Sequence, residues 1–267
     1  MQRPSKLHLL REFHRTLYRA WGCQHWWPAA SRFEVIVGAF LTQNTNWTNV
    51  ERALKQLRAA KVLSLDEIRK VPLSRLESLI RSSGYFRQKA GRLKTFVVFV
   101  DQCYGGSLTR MFSQPTEKLR EQLLSLNGVG PETADSILLY AGQHPVFVVD
   151  AYTRRILGRH GISPPNAPYE EIRQLCENAL SHEELQQLSQ RGDSLRGATG
   201  TSHPPSRLSL AKRAPLAQVF NDMHGLIVGV GKNYCLKSRP RCEECPLRPF
   251  LPAPEPSYPE GSALPIP

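Results

Sequence analysis

The sequence predicts an all-α protein, on three observations. Apolar residues recur at helical spacing through most of the chain. Prolines and glycines fall between those stretches, and alternating strand-like runs of useful length are scarce. Helical spacing picks out residues 33–41, 50–57, 73–80, 88–100, 116–126, 133–141 and 153–158. Pro72, Gly84, Gly105-Gly106, Pro115, the 128–131 stretch and Pro145 punctuate them. Residues 146–149 (Val-Phe-Val-Val) are β-like but isolated, which predicts a buried extended approach to the next helix rather than a sheet. Two segments read as disordered: 191–207, a Ser-, Gly-, Thr- and Pro-rich insertion between helices, and 251–267, a tail with six prolines.

Charge narrows the class of partner. With 35 Lys and Arg against 23 Asp and Glu, the 267-residue chain carries +12, which favours a polyanion such as nucleic acid. The acidic residues are dispersed, so the expectation is a folded protein with basic faces. No apolar run approaches membrane-spanning length, and Arg11-Glu12 interrupts any secretory core, so the expected protein is cytoplasmic with no membrane partner. Cys23, Cys103 and Cys176 stand alone, whereas Cys235, Cys242 and Cys245 fall within eleven positions. In a reducing compartment such a cluster indicates metal rather than a disulfide.

The most informative stretch is 123–150, LLSLNGVGPETADSILLYAGQHPVFVVD. A helix ends near Leu126, an Asn-Gly-Val-Gly turn follows, and Pro131 stands at the first position of the next helix, where its missing N–H costs nothing. Glycines at 128 and 130 permit positive φ and a close backbone approach, so the turn presents N–H groups at a positive helix end that suits a phosphate. A simple helix connection accounts for the same residues. Asp150 precedes a further helical run and reads as an N-cap.

The order Leu126-x-Gly128-Val129-Gly130-x-x-Thr133-Ala134, a helix, then Val148-Val149-Asp150 resembles the helix-hairpin-helix (HhH-GPD) DNA glycosylases typified by endonuclease III. The resemblance extends to 33–54, 84–93, 220–230 and the cysteine cluster, covering about 20–183 and 213–247. It implies two helical domains with a DNA-binding cleft: a six-helix barrel over 34–144 containing the hairpin, and a second domain from 1–33 plus 145–250 with the C-terminal cysteine loop. It implies Asp150 as the catalytic carboxylate, compatible with its capping role, and double-stranded DNA containing damaged bases as the partner of a monomer, nucleoid-associated if bacterial. Gly128, Val129, Gly130 and Thr133 would hold phosphate, while Gln43 and Asn44 match the segment that enters the duplex, Gln43 filling the place of the flipped nucleotide.

Family members that also cut the strand carry a lysine two residues after the second hairpin glycine. Here that residue is Glu132, which cannot form an imine. The expectation is a monofunctional glycosylase in which Asp150 activates water and supports an oxocarbenium-like sugar, with Lys89 or Lys94 as the amines that would have to substitute. Trp26, Trp27 and Trp47, with Glu132, are the expected base pocket, although adjacent tryptophans point apart and one reads equally as core. Aromatic faces attract cations by roughly 2 kcal/mol or more when desolvated, and alkylated purines are cationic, so the combination looks most like the 3-methyladenine glycosylase branch. Uracil or thymine mismatch, oxidised pyrimidine and a non-catalytic DNA-binding role stay open. The spacing Cys235-x6-Cys242-x2-Cys245 is similar to the family's [4Fe-4S] loop, with Leu251 where the fourth cysteine belongs. The implied cofactor is therefore a [4Fe-4S] cluster with an incomplete ligand set, against a loop without metal.

Overall fold

Residues 4–164, 166–190 and 205–252 are described by a computed structural model. They form helices joined by short turns, with no strand among the described residues, as the helical spacing predicts. Helix α1 (Lys6–Trp21) starts at Ser5, whose hydroxyl accepts the His8 N–H at 3.2 Å, and buries Leu9, Leu10, Phe13 and Leu17. The segments picked out by apolar spacing do not include this helix, although Leu10, Phe13, Leu17 and Trp21 recur at helical intervals along it. Helix α2 (Arg32–Thr42), capped by Ser31, is buried along almost its whole length, and α3 (Trp47–Ala59) is capped by Asn46. The short helices α4 (Leu65–Lys70) and α5 (Leu73–Leu79) lead into α6 (Phe86–Tyr104). Next come α7 (Leu108–Phe112), α8 (Thr116–Leu124) and α9 (Pro131–Ser136), the last continuing as a π-helical turn over Ile137–Gly142. Then follow α10 (Ala151–Arg159), α11 (Tyr169–Leu180), α12 (Glu183–Gln190) and α13 (Pro215–Asn233).

These helices pack in two sets. Helix α2 lies against α3, α6, α9 and the π-helical turn, and α6 holds α4, α5 and α7. Helix α13 is the axis of the other set, against α1, α10, α11 and α12. The π-helical turn touches both α2 and α13. Helix α13 is glycine-rich, which costs about 1 kcal/mol per residue in propensity, but its neighbours require the glycines. A Cβ on Gly231 would lie 2.2 Å from Tyr152 Cδ1, and one on Gly225 2.8 Å from Gln24 Cβ.

Residues 146–149 form neither helix nor strand, and they pair with no strand, as expected; Asp150 at their end is extended. Side chains satisfy this buried backbone instead: the Phe147 N–H donates to Glu177 at 2.9 Å and the Val149 N–H to the Tyr169 hydroxyl at 3.2 Å. Tyr169 in turn donates to Asp135 at 2.9 Å, which Arg120 grips at 2.7 and 3.1 Å. The approach to Asp150 is thus anchored on α8, α9 and α11. Among the described residues no helix is long and apolar enough to cross a membrane. The expected insertion and tail fall mostly on 191–204 and 253–267, outside the described residues.

Candidate active site

Between the two helix sets lies a cavity of about 690 Å³, a size suited to a nucleobase with part of its sugar. Trp26, Trp27 and Trp47 line it together with Glu132, Asp150, Tyr152, His224 and Lys232. Trp27 is the hinge of the aromatic wall, 5.5 Å from Trp26, 5.2 Å from Trp47 and 5.4 Å from Tyr140 between ring centres. Trp26 and Trp27 are buried and belong to the core as well as the wall. Trp47 is partly exposed, with its indole N–H donating to Glu51 at 2.7 Å.

Asp150 caps α10. Its Oδ1 accepts the Thr153 N–H at 2.8 Å and the Thr153 hydroxyl at 3.0 Å, while Oδ2 faces His224 Nε2 at 3.6 Å. Burial alone would raise this carboxyl, but the His224 imidazole and Thr153 outweigh it and hold the group below the usual carboxylate range. Glu132 behaves oppositely. Protein atoms crowding its carboxyl, and then the Asp150 charge, push it up to about 7 against the opposing pull of His224 and Arg154, although water still reaches the residue. Two carboxyls in one cavity thus differ in charge near neutrality. His224 and Lys232 escaped the sequence reading because α13 reads as an apolar, glycine-rich stretch with no local motif.

The hairpin is built for close approach. Gly128 has φ 78°, and a Cβ there would lie 2.0 Å from Arg92 Nε, whereas a Cβ on Gly130 would meet nothing within 4 Å. Gly130 therefore faces open space beside the start of α9, where backbone N–H groups lack intrahelical partners. Val129 is a correction to the expected phosphate contacts: its N–H closes the turn on Leu126 at 3.0 Å and its side chain is buried. Gln43, expected to fill the place of the flipped nucleotide, is held at the hairpin. Its amide donates to Gly128 O at 3.0 Å and Thr133 Oγ1 at 2.9 Å and accepts from Arg92 at 2.6 Å, clamping the end of α2 to the hairpin rather than projecting outward. Asn44 follows at φ 52° and is exposed at the tip of the turn.

This combination of hairpin, capping aspartate and aromatic cavity agrees with the sequence comparison, in which residues 37–182 match the HhH-GPD superfamily of base excision DNA repair proteins. The chain belongs to that superfamily. A Methanocaldococcus jannaschii protein provisionally named a DNA repair glycosylase is 36% identical over 249 residues, covering 93% of this chain and 98% of that protein. Endonuclease III of Thermotoga maritima is 27% identical over 81% of this chain and 80% of its own. Among solved structures, the H. pylori 3-methyladenine DNA glycosylase MagIII bound to 1,N6-ethenoadenine superposes with a TM-score of 0.67 and 28% identity, over 86% of this chain and 98% of that one. The protein is a base excision repair DNA glycosylase of the HhH-GPD type, and DNA is its partner.

Other basic residues of this HhH-GPD protein have structural duties. Lys89 is buried, its amine donating to Leu41 O at 2.9 Å and Ser83 O at 2.6 Å. Lys94 caps the α4–α5 junction through Arg69 O and Val71 O. Arg155 donates to Cys235 O at 2.7 Å and Gly231 O at 3.2 Å, and Arg159 to Cys235 Sγ at 3.2 Å and Leu236 O at 2.7 Å, so both hold the cysteine loop. Lys237, Arg239 and Arg241 are exposed on that loop.

The loop brings Cys235, Cys242 and Cys245 to one small cleft with Arg159, His160 and Leu251. Among the described residues no group of Cys, His, Asp or Glu is arranged to hold a metal ion. The donors are three thiols, one already accepting from Arg159, and an apolar side chain stands at the fourth position. A cubane closed by four thiolates does not fit this set.

Proposed function

We propose that this glycosylase is monofunctional and excises alkylated purines, with Asp150 as the catalytic carboxylate. The carrying observation is the cavity that opens Asp150 and Glu132 onto an aromatic wall of Trp26, Trp27 and Trp47. A flipped base stacked on that wall would place its sugar over Asp150, whose charge supports the oxocarbenium and orients water. A methylated purine already carries positive charge, so its departure needs little acid assistance, and the aromatic faces and carboxylates favour it over a neutral base. With Glu132 in the position of the lyase lysine, and Lys89 and Lys94 committed to backbone carbonyls, hydrolysis is the reading that these residues support.

On the DNA side, the turn at Gly128 and Gly130 and the first N–H groups of α9 would meet phosphate, with Thr133 and Gln43 bracing them. Asn44, exposed at its tip, is better placed than the tethered Gln43 to enter the stack. A domain division into 34–144 and 1–33 plus 145–250 is supported by the two packing sets. The enzyme would act as a monomer in the compartment that holds the DNA. At the cysteine loop, a cluster would have three thiolate ligands only, and the loop would serve DNA binding through Lys237, Arg239 and Arg241 rather than the chemistry.

One observation favours a second reading. Lys232 lines the cavity with its ammonium 5.9 Å from the Trp26 ring, and burial lowers its pKa. An amine there is a competitor for cationic bases and a nucleophile for an imine. The test is single-turnover excision of 3-methyladenine, 1,N6-ethenoadenine, uracil and oxidised pyrimidines in duplex DNA, with and without alkali, by wild type and Asp150→Asn. Faster excision of 3-methyladenine, strand breaks only after alkali, and loss of at least about 10²-fold in the variant are expected. Preference for a neutral pyrimidine, or breaks without alkali, would overturn the proposal.

A further inference from the structure

His224 is not accounted for by the reaction as proposed. Its ring is buried among Trp26, Tyr140 and Phe147 at 6.3, 5.7 and 6.4 Å between ring centres. Nδ1 lies 2.6 Å from the Tyr140 hydroxyl, whereas Nε2 is buried and reaches no hydrogen-bond partner, its nearest carboxylate being Asp150 Oδ2 at 3.6 Å. A buried ring nitrogen left unpaired costs about 1–3 kcal/mol, so a core-filling role does not explain why an imidazole occupies this place. Asp150 supplies the complementary vacancy. Its Oδ1 is fixed by both Thr153 donors, and Oδ2 is the oxygen left to choose a direction.

We propose that Tyr140 and His224 form a buried relay that positions Asp150, His224 holding Oδ2 by charge and by an N–H when the site closes on DNA. This rests on Asp150 being the catalytic carboxylate. The polarity of the relay follows from the tyrosine. Tyr140 is fully buried, and its hydroxyl is pushed well above its ordinary range, first by burial and then by the Asp150 charge, so it keeps its proton and donates to Nδ1. Nε2, the atom that faces Asp150, then carries a hydrogen, and a second proton on the ring, with the hydroxyl turned to accept from Nδ1, would add the charge. The Trp26 indole bears on the same hydroxyl, so one wall of the base cavity is coupled to the relay. A closure of a few tenths of an ångström would turn the 3.6 Å approach into a hydrogen bond, and apo sites commonly tighten in this way.

The relay also explains the unequal carboxyls. Two carboxylates in one cavity cannot both ionise freely, and the imidazole stands within ion-pair distance of Asp150, so the charge is placed there. The other ionisable groups around the pair are Glu132 on α9, Tyr152 and Arg154 on α10, Arg213 before α13, and Asp222 and Lys232 on α13 itself. Each remains in the variants below, so a change in the pH profile reports the relay.

The experiment compares full-length wild type, His224→Phe, His224→Gln, Tyr140→Phe and Asp150→Asn. The substrate is whichever of 3-methyladenine, 1,N6-ethenoadenine or uracil in duplex DNA the wild type excises fastest. Single-turnover rates from pH 4.5 to 8.5, Kd for the same DNA and thermal melts are recorded. His224→Phe is expected to slow excision about 10- to 100-fold at unchanged Kd, the size of a lost hydrogen bond to a charged group. The acidic limb of its profile should rise by about one pH unit. In His224→Gln an amide N–H can reach the Nε2 position without carrying charge, so the rate should recover in part while the limb stays raised. Tyr140→Phe should fall between wild type and His224→Phe. If His224→Phe does not fold, His224→Gln and Tyr140→Phe carry the test through the same limb. Rate losses that match the unfolded fraction, with the limb unmoved in every folded variant, would reduce His224 to packing and overturn the relay. Asp150→Asn at near wild-type rate would instead remove the catalytic assignment beneath it, a result distinct from any behaviour of the His224 variants.

Discussion

Glu132 makes the choice of substrate testable through pH. With its carboxyl at about 7, roughly a tenth of the molecules carry the charge at pH 6 and roughly nine-tenths at pH 8. Asp150 is held below the ordinary carboxylate range and stays charged throughout this window. The variable charge in the cavity is therefore that of Glu132, and it appears as pH rises. A cationic purine stacked on the tryptophans would share the cavity with this carboxylate. Because water reaches Glu132, screening limits the attraction to about 1–2 kcal/mol, roughly a five- to thirtyfold effect. The ratio of kcat/KM for 3-methyladenine over neutral 1,N6-ethenoadenine should thus rise about tenfold from pH 6 to pH 8. Glu132→Gln, similar in shape and without charge, should show a flat ratio near the wild-type value at low pH. A wild-type ratio independent of pH, or an equal slope in the variant, would refute a role for Glu132 in selecting cations.

Borohydride should trap no covalent complex with wild-type protein, and a trapped adduct abolished by Lys232→Ala would assign lyase chemistry to that amine. Trp27→Ala and Trp47→Ala should each lower excision of 3-methyladenine more than that of uracil, and equal losses would indicate damage to the core that Trp27 shares. Fully buried Asp222 has its carboxyl raised to about 6, above its unfolded value of 3.8, by burial. Its native state therefore holds a proton that the unfolded state releases, and stability falls as pH rises from about 4 to about 6. Asp222→Asn, keeping the Gln218 hydrogen bond at Oδ1, should add up to about 3 kcal/mol at pH 7.5 and little at pH 4 in urea melts. Destabilisation at pH 7.5 would mean that Arg213 fully compensates the charge.

The local chemistry of the chain was legible in its sequence. Helices α2, α3, α6 and α8 follow from apolar spacing, and Pro115 marks the start of α8. The hairpin turn, the Asp150 cap and the glutamate in the lysine position are each set by residues within a few positions of one another, which is why order and spacing sufficed. The same holds for the unpaired 146–149 approach, although its anchors, Glu177 and Tyr169, lie 30 and 20 residues downstream. Tertiary packing decided the rest. Helix α13 opposes its own glycine propensity because Tyr152 and Gln24 leave no room for Cβ atoms. Gln43 is tethered by Arg92, Gly128 and Thr133, partners up to 90 residues away. His224 and Lys232 acquire meaning only where α13 packs against α10 and the π-helical turn, placing them in a cavity with Trp27, Glu132 and Asp150. Helical periodicity and capping are properties of neighbours in sequence, whereas a cavity exists only where separate helices bury one another, and the charges of its carboxyls follow from that burial.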